Sequence, residues 1–194
     1  VVVFFFAPDT ISSQEFQSTN MRLYRYVGPE EIRLRAPEQP RGRPIRSPDD
    51  VLLLIAAEQP TLDAEGSCTF TFVVDEHGVL LLASRHDEHV ACAGRRPVRA
   101  AGEISFEASA PNANKVRVRR VSNQSTGYCP EPESFAEVVA ALKRAGLTSP
   151  SGYEPACVFR RCEKCRQIAL VKEEWYECAL CGNSLPTRWN LDEE

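Results

Sequence analysis

Long apolar runs are missing from this 194-residue chain. No stretch approaches the roughly 18 apolar residues of a membrane helix. Charge excess is missing too: 23 basic against 27 acidic residues leave a net of −4, so bulk charge points to neither nucleic acid nor a membrane surface. There are no internal repeats. A basic leader before an apolar core is absent, which argues against a signal peptide and against disulfides that need an oxidising compartment. The only methionine is Met21, and the chain opens on Val1-Val-Val-Phe-Phe-Phe6. Residues 1–20 read as an N-terminal extension, either disordered or an edge strand.

Cysteine is what the chain does have, and its spacing is informative. Cys162-Glu-Lys-Cys165 and Cys178-Ala-Leu-Cys181 are two Cys-x-x-Cys pairs twelve residues apart. Each pair is a tight turn that aims two sulfurs at one point, and two such turns face to face complete a tetrahedron. Ile168-Ala-Leu-Val171 and Trp175-Tyr176 are strand formers around a Lys172-Glu-Glu174 turn. Residues 157–191 are therefore expected to form a zinc ribbon with one structural Zn held by Cys162, Cys165, Cys178 and Cys181. A redox pair, a disulfide or an iron–sulfur cluster fits less well; the last lacks its usual tight run of three cysteines. Cys68, Cys92, Cys129 and Cys157 read as small buried hydrophobes in a reducing cytoplasm. Four protein ligands leave no position for a substrate, so the metal reads as structural.

Residues 21–148 read as an α+β domain: an antiparallel sheet with about two helices, joined to the ribbon by a Ser/Gly/Pro-rich linker, 149–156. Leu23 to Val27 reads as a short strand and 36–46 as a loop. Ser47-Pro-Asp-Asp50 is a strong helix start. Residues 68–74 and 79–83 read as a hairpin turning at Asp75-Glu-His-Gly78. Residues 99–106 and 115–121 read as a second antiparallel pair. Its second strand alternates, with Val116, Val118 and Arg120 on one side and Lys115, Arg117 and Arg119 on the other. Ser134 is expected to cap a second helix with Glu137 completing a capping box, and Gly146 to end it.

The string Val121-Ser-Asn-Gln-Ser-Thr-Gly-Tyr-Cys-Pro-Glu-Pro-Glu-Ser134, then a helix, Phe159-Arg-Arg-Cys162 and a ribbon ending Leu185-Pro-Thr-Arg-Trp-Asn190, resembles a bacterial family of short, uncharacterised proteins. Those proteins start near Tyr-Arg-Tyr-Val-Gly-Pro-Glu-Glu-Ile, as this chain does at Tyr24. The resemblance covers Met21 to about Leu191 and implies no activity. More distantly, Cys92-Ala-Gly94, Val98-Arg-Ala-Ala-Gly-Glu103 and Ser125-Thr-Gly-Tyr128 with Pro130 are similar to a wider group with a Ser-Gly-His-Tyr-x-Pro element. That group includes plant calmodulin-binding proteins with an IQ motif. Here Gly127 stands directly before Tyr128 in place of the histidine, and the IQ motif is absent.

Three functional classes follow. The first is a non-enzymatic cytoplasmic module that binds a protein or small ligand, with Arg160, Trp175 and Trp189 as contacts and Tyr128 near the strand-to-helix turn. The second is an enzyme of unnamed reaction built on Glu103, His89, Ser125 and Tyr128, with Thr126 and His86 nearby; His86 and His89 also offer a second metal site if they share a helical turn. The structural alternative gives Ser125, Thr126 and Asn123 to backbone groups, Tyr128 to packing and Glu103 to an arginine. The third is nucleic-acid binding. Residues 95–120 carry seven basic residues against two acids, and Arg117 and Arg119 would lead a basic strand face; a solvated, edge-protecting face is the plainer reading of it.

Overall fold

The computed structural model describes residues 22–108 and 116–191. The N-terminal extension and Lys115 lie outside them. The elements run α1 (Glu30–Arg35), β1 (Arg43–Ile45), α2 (Pro48–Glu58), β2 (Ser67–Asp75), β3 (Leu80–Ser84), α3 (His89–Ala93), β4 (Val98–Ala108), β5 (Val116–Val121), α4 (Phe135–Arg144), β6 (Val158–Arg161) and β7 (Ile168–Val171). β1 to β5 form an antiparallel sheet in the order β1-β3-β2-β4-β5, and β6 pairs with β7 in a second, two-stranded sheet. This is the mixed α+β architecture expected, with two helices of seven or more residues.

β2 is central and buried on both faces, so it lacks the polar alternation of a half-solvated strand. On one face Phe70, Phe72, Leu80, Leu82, Ile104 and Phe106 pack under α2 and α4, which contribute Val51, Leu54, Val138 and Leu142. On the other face Val73, Leu81, Ala83 and Ala101 meet Val90 and Cys92 of α3, together with Tyr24 and Tyr128. Fully buried side chains of this size stabilise by about 1.5–3 kcal/mol each.

α2 starts as its sequence dictates. Ser47 accepts from the Asp50 amide at 3.3 Å, and the Asp50 carboxylate accepts from the Ser47 amide at 2.9 Å. α4 differs from expectation. Ser134 sits in a 3₁₀ turn, donates to the Glu131 carbonyl and bonds the Tyr153 hydroxyl, so it makes no capping box. Glu137 instead accepts from Arg99 at 3.2 Å. Two further departures have local causes. Leu23 to Val27 is no strand beyond one bridge, Tyr24 to Val98; β5 pairs with β4 only over Ile104–Ala108, and the chain leaving β5 crosses the remaining edge at Gly102. Residues 43–45, expected as loop, add an edge strand to β3.

A bulge decides the face of β5. Ser105 pairs with Arg120 and Phe106 with Val118, which leaves Arg119 as the extra residue. Val118 and Val121 both reach the core, and Arg120 is exposed with Arg119 rather than aligned with Val118. Gly102 of β4 marks a close backbone approach. A Cβ there would lie 1.9 Å from the Ser122 carbonyl oxygen and 3.0 Å from the Asn123 Cα. The chain leaving β5 therefore crosses directly over Gly102.

Candidate metal centre

The two Cys-x-x-Cys segments have matching backbones. Cys162 N–H donates to Gln167 O at 2.9 Å, and Arg166 N–H donates to Cys162 O at 2.8 Å. In the second, Cys178 N–H donates to Asn183 O and Gly182 N–H to Cys178 O, both at 2.8 Å. Arg166 and Gly182 hold the same left-handed position, with φ of 63° and 68°. Glycine suits it; an L side chain such as Arg166 is held there at a cost of about 1–2 kcal/mol.

This symmetry brings four sulfurs together. The Sγ atoms of Cys162, Cys165, Cys178 and Cys181 all lie within 4.8 Å of one another. Cys162 to Cys181 and Cys165 to Cys178 are each 3.6 Å. A tetrahedral ion with metal–sulfur bonds of about 2.3 Å sets its sulfurs about 3.8 Å apart. The cluster therefore has the size of a tetrahedral thiolate shell, and it is far wider than an S–S bond of about 2.05 Å. Among the described residues it is the only group of three or more cysteine, histidine or acidic side chains close enough to share an ion. His86 precedes α3 and His89 opens it, so the two do not share a helical turn.

The surroundings favour thiolate at Cys162 and Cys178. Backbone N–H groups of Cys165 and Lys164 point at the Cys162 sulfur and hold its pKa down to about 7. Those of Leu180 and Cys181 lower Cys178 in the same way. At Cys165 the Gln167 N–H acts downward, but burial and the three neighbouring sulfurs outweigh it and raise the thiol. Four anionic sulfurs crowded this closely repel one another, and a divalent cation relieves that repulsion.

The four-cysteine lobe is fixed to the main domain. Asn123, fully buried, donates from Nδ2 to the Pro130 and Cys157 carbonyls at 2.8 and 2.7 Å and accepts from the Cys157 N–H at 2.6 Å. Arg160 makes a two-pronged ion pair with Glu131 at 2.7 and 3.0 Å and donates to Thr187 O. Trp189 donates to Cys129 O at 2.9 Å and packs edge-on against Tyr24. Asn190 brackets the Arg161 peptide, accepting from its N–H and donating to its carbonyl, both at 2.9 Å. Cys129, Cys157, Phe159 and Leu191 form a shared apolar seam. The 149–156 segment is also tethered: Tyr153 packs on Phe135, and Glu154 N–H donates to Val121 O.

The other candidate residues take separate places. Glu103 pairs with Arg85 at 3.3 Å. His89 Nε2 lies 3.0 Å from Gly102 O, and desolvation in its packed surroundings pushes its pKa below the ordinary value. Tyr128 is fully buried, donates to Arg96 O at 2.8 Å, and has its pKa raised by burial. Ser125 Oγ accepts from the Tyr128 N–H, and Thr126 O lies against the Cys129 thiol. Among the described residues no side-chain hydrogen bond links Glu103, His89 and Tyr128 into a proton relay. Tyr128 has no surface to offer a ligand. Arg160 is 4% exposed and Trp189 is half-buried, so neither is a free contact; Trp175 is 68% exposed.

The basic stretch is dispersed. Arg95 donates to the carbonyls of Ala36 and Leu34, Arg99 to that of Glu76, and Arg119 pairs with Glu65 and bonds Ser67. Arg117 is exposed on the sheet edge. Asn123 serves backbone groups as expected, at Pro130 O, but its clamp on Cys157 and the role of Asn190 were hidden in the sequence, because an asparagine that clamps a distant peptide has no spacing signature. Among the described residues no helix is long and apolar enough to cross a membrane. Comparison with protein-family models, with curated proteins and with solved structures finds no match.

Proposed function

We propose that the protein is a non-enzymatic zinc-ribbon module that presents a rigid metal-built lobe to a protein or small-ligand partner. The observation that carries this reading is the four-sulfur cluster. Its dimensions suit a tetrahedral Zn²⁺ bound by Cys162, Cys165, Cys178 and Cys181, and four thiolates fill the shell of a structural ion. Zinc there supplies folding free energy, of the order of 10–16 kcal/mol in small zinc domains. Thiolate ligation suits a reducing compartment, and a cytoplasmic placement belongs to the same proposal. The bacterial family resemblance belongs to it too.

The enzyme reading draws less support, since Glu103, His89, Ser125 and Tyr128 are each engaged in separate structural bonds. Nucleic-acid binding also draws less, since three of the arginines on which it relied are occupied.

Native mass spectrometry tests the metal, with one zinc per chain expected and none after chelation. Cys165→Ser and Cys178→Ser should each release it and melt residues 162–185. The main domain and the clamped residues 157–161 should stay folded. Variants that keep a fully structured ribbon by NMR would overturn the structural-zinc reading.

A further inference from the structure

The ribbon turns outward after β7. Glu173 and Glu174 form the turn, with φ of 51° and 59°, and Lys172 and Trp175 close it as an antiparallel bridge. Side chains alternate along such a hairpin, and burial follows the alternation. Val171 and Tyr176 pack into the cysteine core, whereas Leu170, Lys172, Trp175 and Glu177 are exposed. Trp175 and Leu170, at 68% and 44% exposure, give this stripe an apolar centre. Its margin is acidic: Glu173, Glu174 and Glu177 are exposed against the one cation Lys172. The nine ion pairs among the described residues involve none of these three carboxylates.

An indole face is the best aromatic partner for a guanidinium or ammonium group. Neighbouring carboxylates add attraction for a cation and repel phosphate, which disfavours nucleic acid and anionic lipid at this place. The hairpin is also held in advance, by the cysteine centre on one side and by the Asn123 and Arg160 clamps behind it, so little ordering is needed to bind.

We propose that the Leu170–Trp175–Glu177 stripe docks a basic peptide segment of a partner protein. An arginine or lysine of that segment lies over the Trp175 indole, an adjacent apolar side chain meets Leu170, and Glu173, Glu174 and Glu177 neutralise the charge. This rests on the zinc-ribbon reading, because the metal is what holds the hairpin in shape.

The test is calorimetric titration of the full zinc-loaded chain with a short peptide alternating arginine and leucine, and with the same peptide carrying glutamate for arginine. The arginine peptide is expected to bind, more weakly as salt rises. Trp175→Ala should weaken it by about tenfold, and Glu173→Lys with Glu174→Lys should weaken it further and remove most of the salt dependence. Trp175→Ala and the lysine variant are checked for bound zinc and for ribbon amide shifts, so that loss of fold is recognised; Trp175→Phe, which keeps an aromatic face, should retain most of the affinity. Chelation should abolish binding. Equal binding of the glutamate peptide, no binding by a zinc-loaded folded chain, an unchanged affinity in Trp175→Ala, or binding that survives chelation would each overturn the docking proposal. A chain that takes up no metal overturns instead the reading beneath it.

Discussion

Replacing Asn123 with alanine tests whether the ribbon is anchored as described. The side chain is fully buried and serves three backbone groups: Pro130 O, Cys157 O and Cys157 N. Alanine removes all three bonds and leaves three peptide groups without their partner at a fully buried position. A buried polar group stripped of its partner costs about 1–3 kcal/mol. Water entering the space left by the amide recovers part of that, so a loss of about 3–5 kcal/mol is expected. Asn123→Asp should be no milder, because a carboxylate keeps the acceptor for Cys157 N–H but turns an oxygen toward two carbonyls. Urea denaturation followed by circular dichroism reads the loss. Hydrogen exchange should show residues 157–161 opening early, while zinc stays bound, since the four cysteines lie beyond the clamp. A loss under about 1 kcal/mol for Asn123→Ala would refute the assignment of Asn123 as the anchor.

Two further outcomes follow from single contacts. Gly102→Ala places a methyl group 1.9 Å from a backbone oxygen that no rotamer change can move; it should cost about 3 kcal/mol or more, and a melting temperature within a few degrees of the parent would contradict the described crossing. The pKa of His89 is depressed by burial in the folded state, so the unfolded chain binds the extra proton first as pH falls. The stability tied to a neutral His89 is complete above the unfolded value of about 6.5 and is lost as pH drops toward the folded value. Denaturation midpoints should decline as pH falls below about 6.5, and His89→Gln should flatten that slope; equal slopes in both proteins would remove His89 as the cause.

The sequence by itself determined what depends on neighbours along the chain. The Ser47–Asp50 cap, the 67–84 hairpin and the two Cys-x-x-Cys turns are local, since each is closed by bonds within about four residues or across one tight turn. The cysteine spacing also carried the four-sulfur cluster, because two matching knuckles on one short hairpin have few ways to arrange four sulfurs. Only the tertiary structure decided the rest. Ser134 and Glu137 have the letters of a capping box, yet Tyr153 and Arg99 reach them from other elements and win their hydrogen bonds. Arg120 follows a clean alternation that one bulge overrides. Glu103, His89, Ser125 and Tyr128 look like reactive groups until the fold gives each a structural partner. Asn123 looks like an ordinary turn residue until Cys157, 34 positions away, is folded against it. Pairing between distant segments depends on which surfaces the whole chain brings together, and local spacing does not encode that.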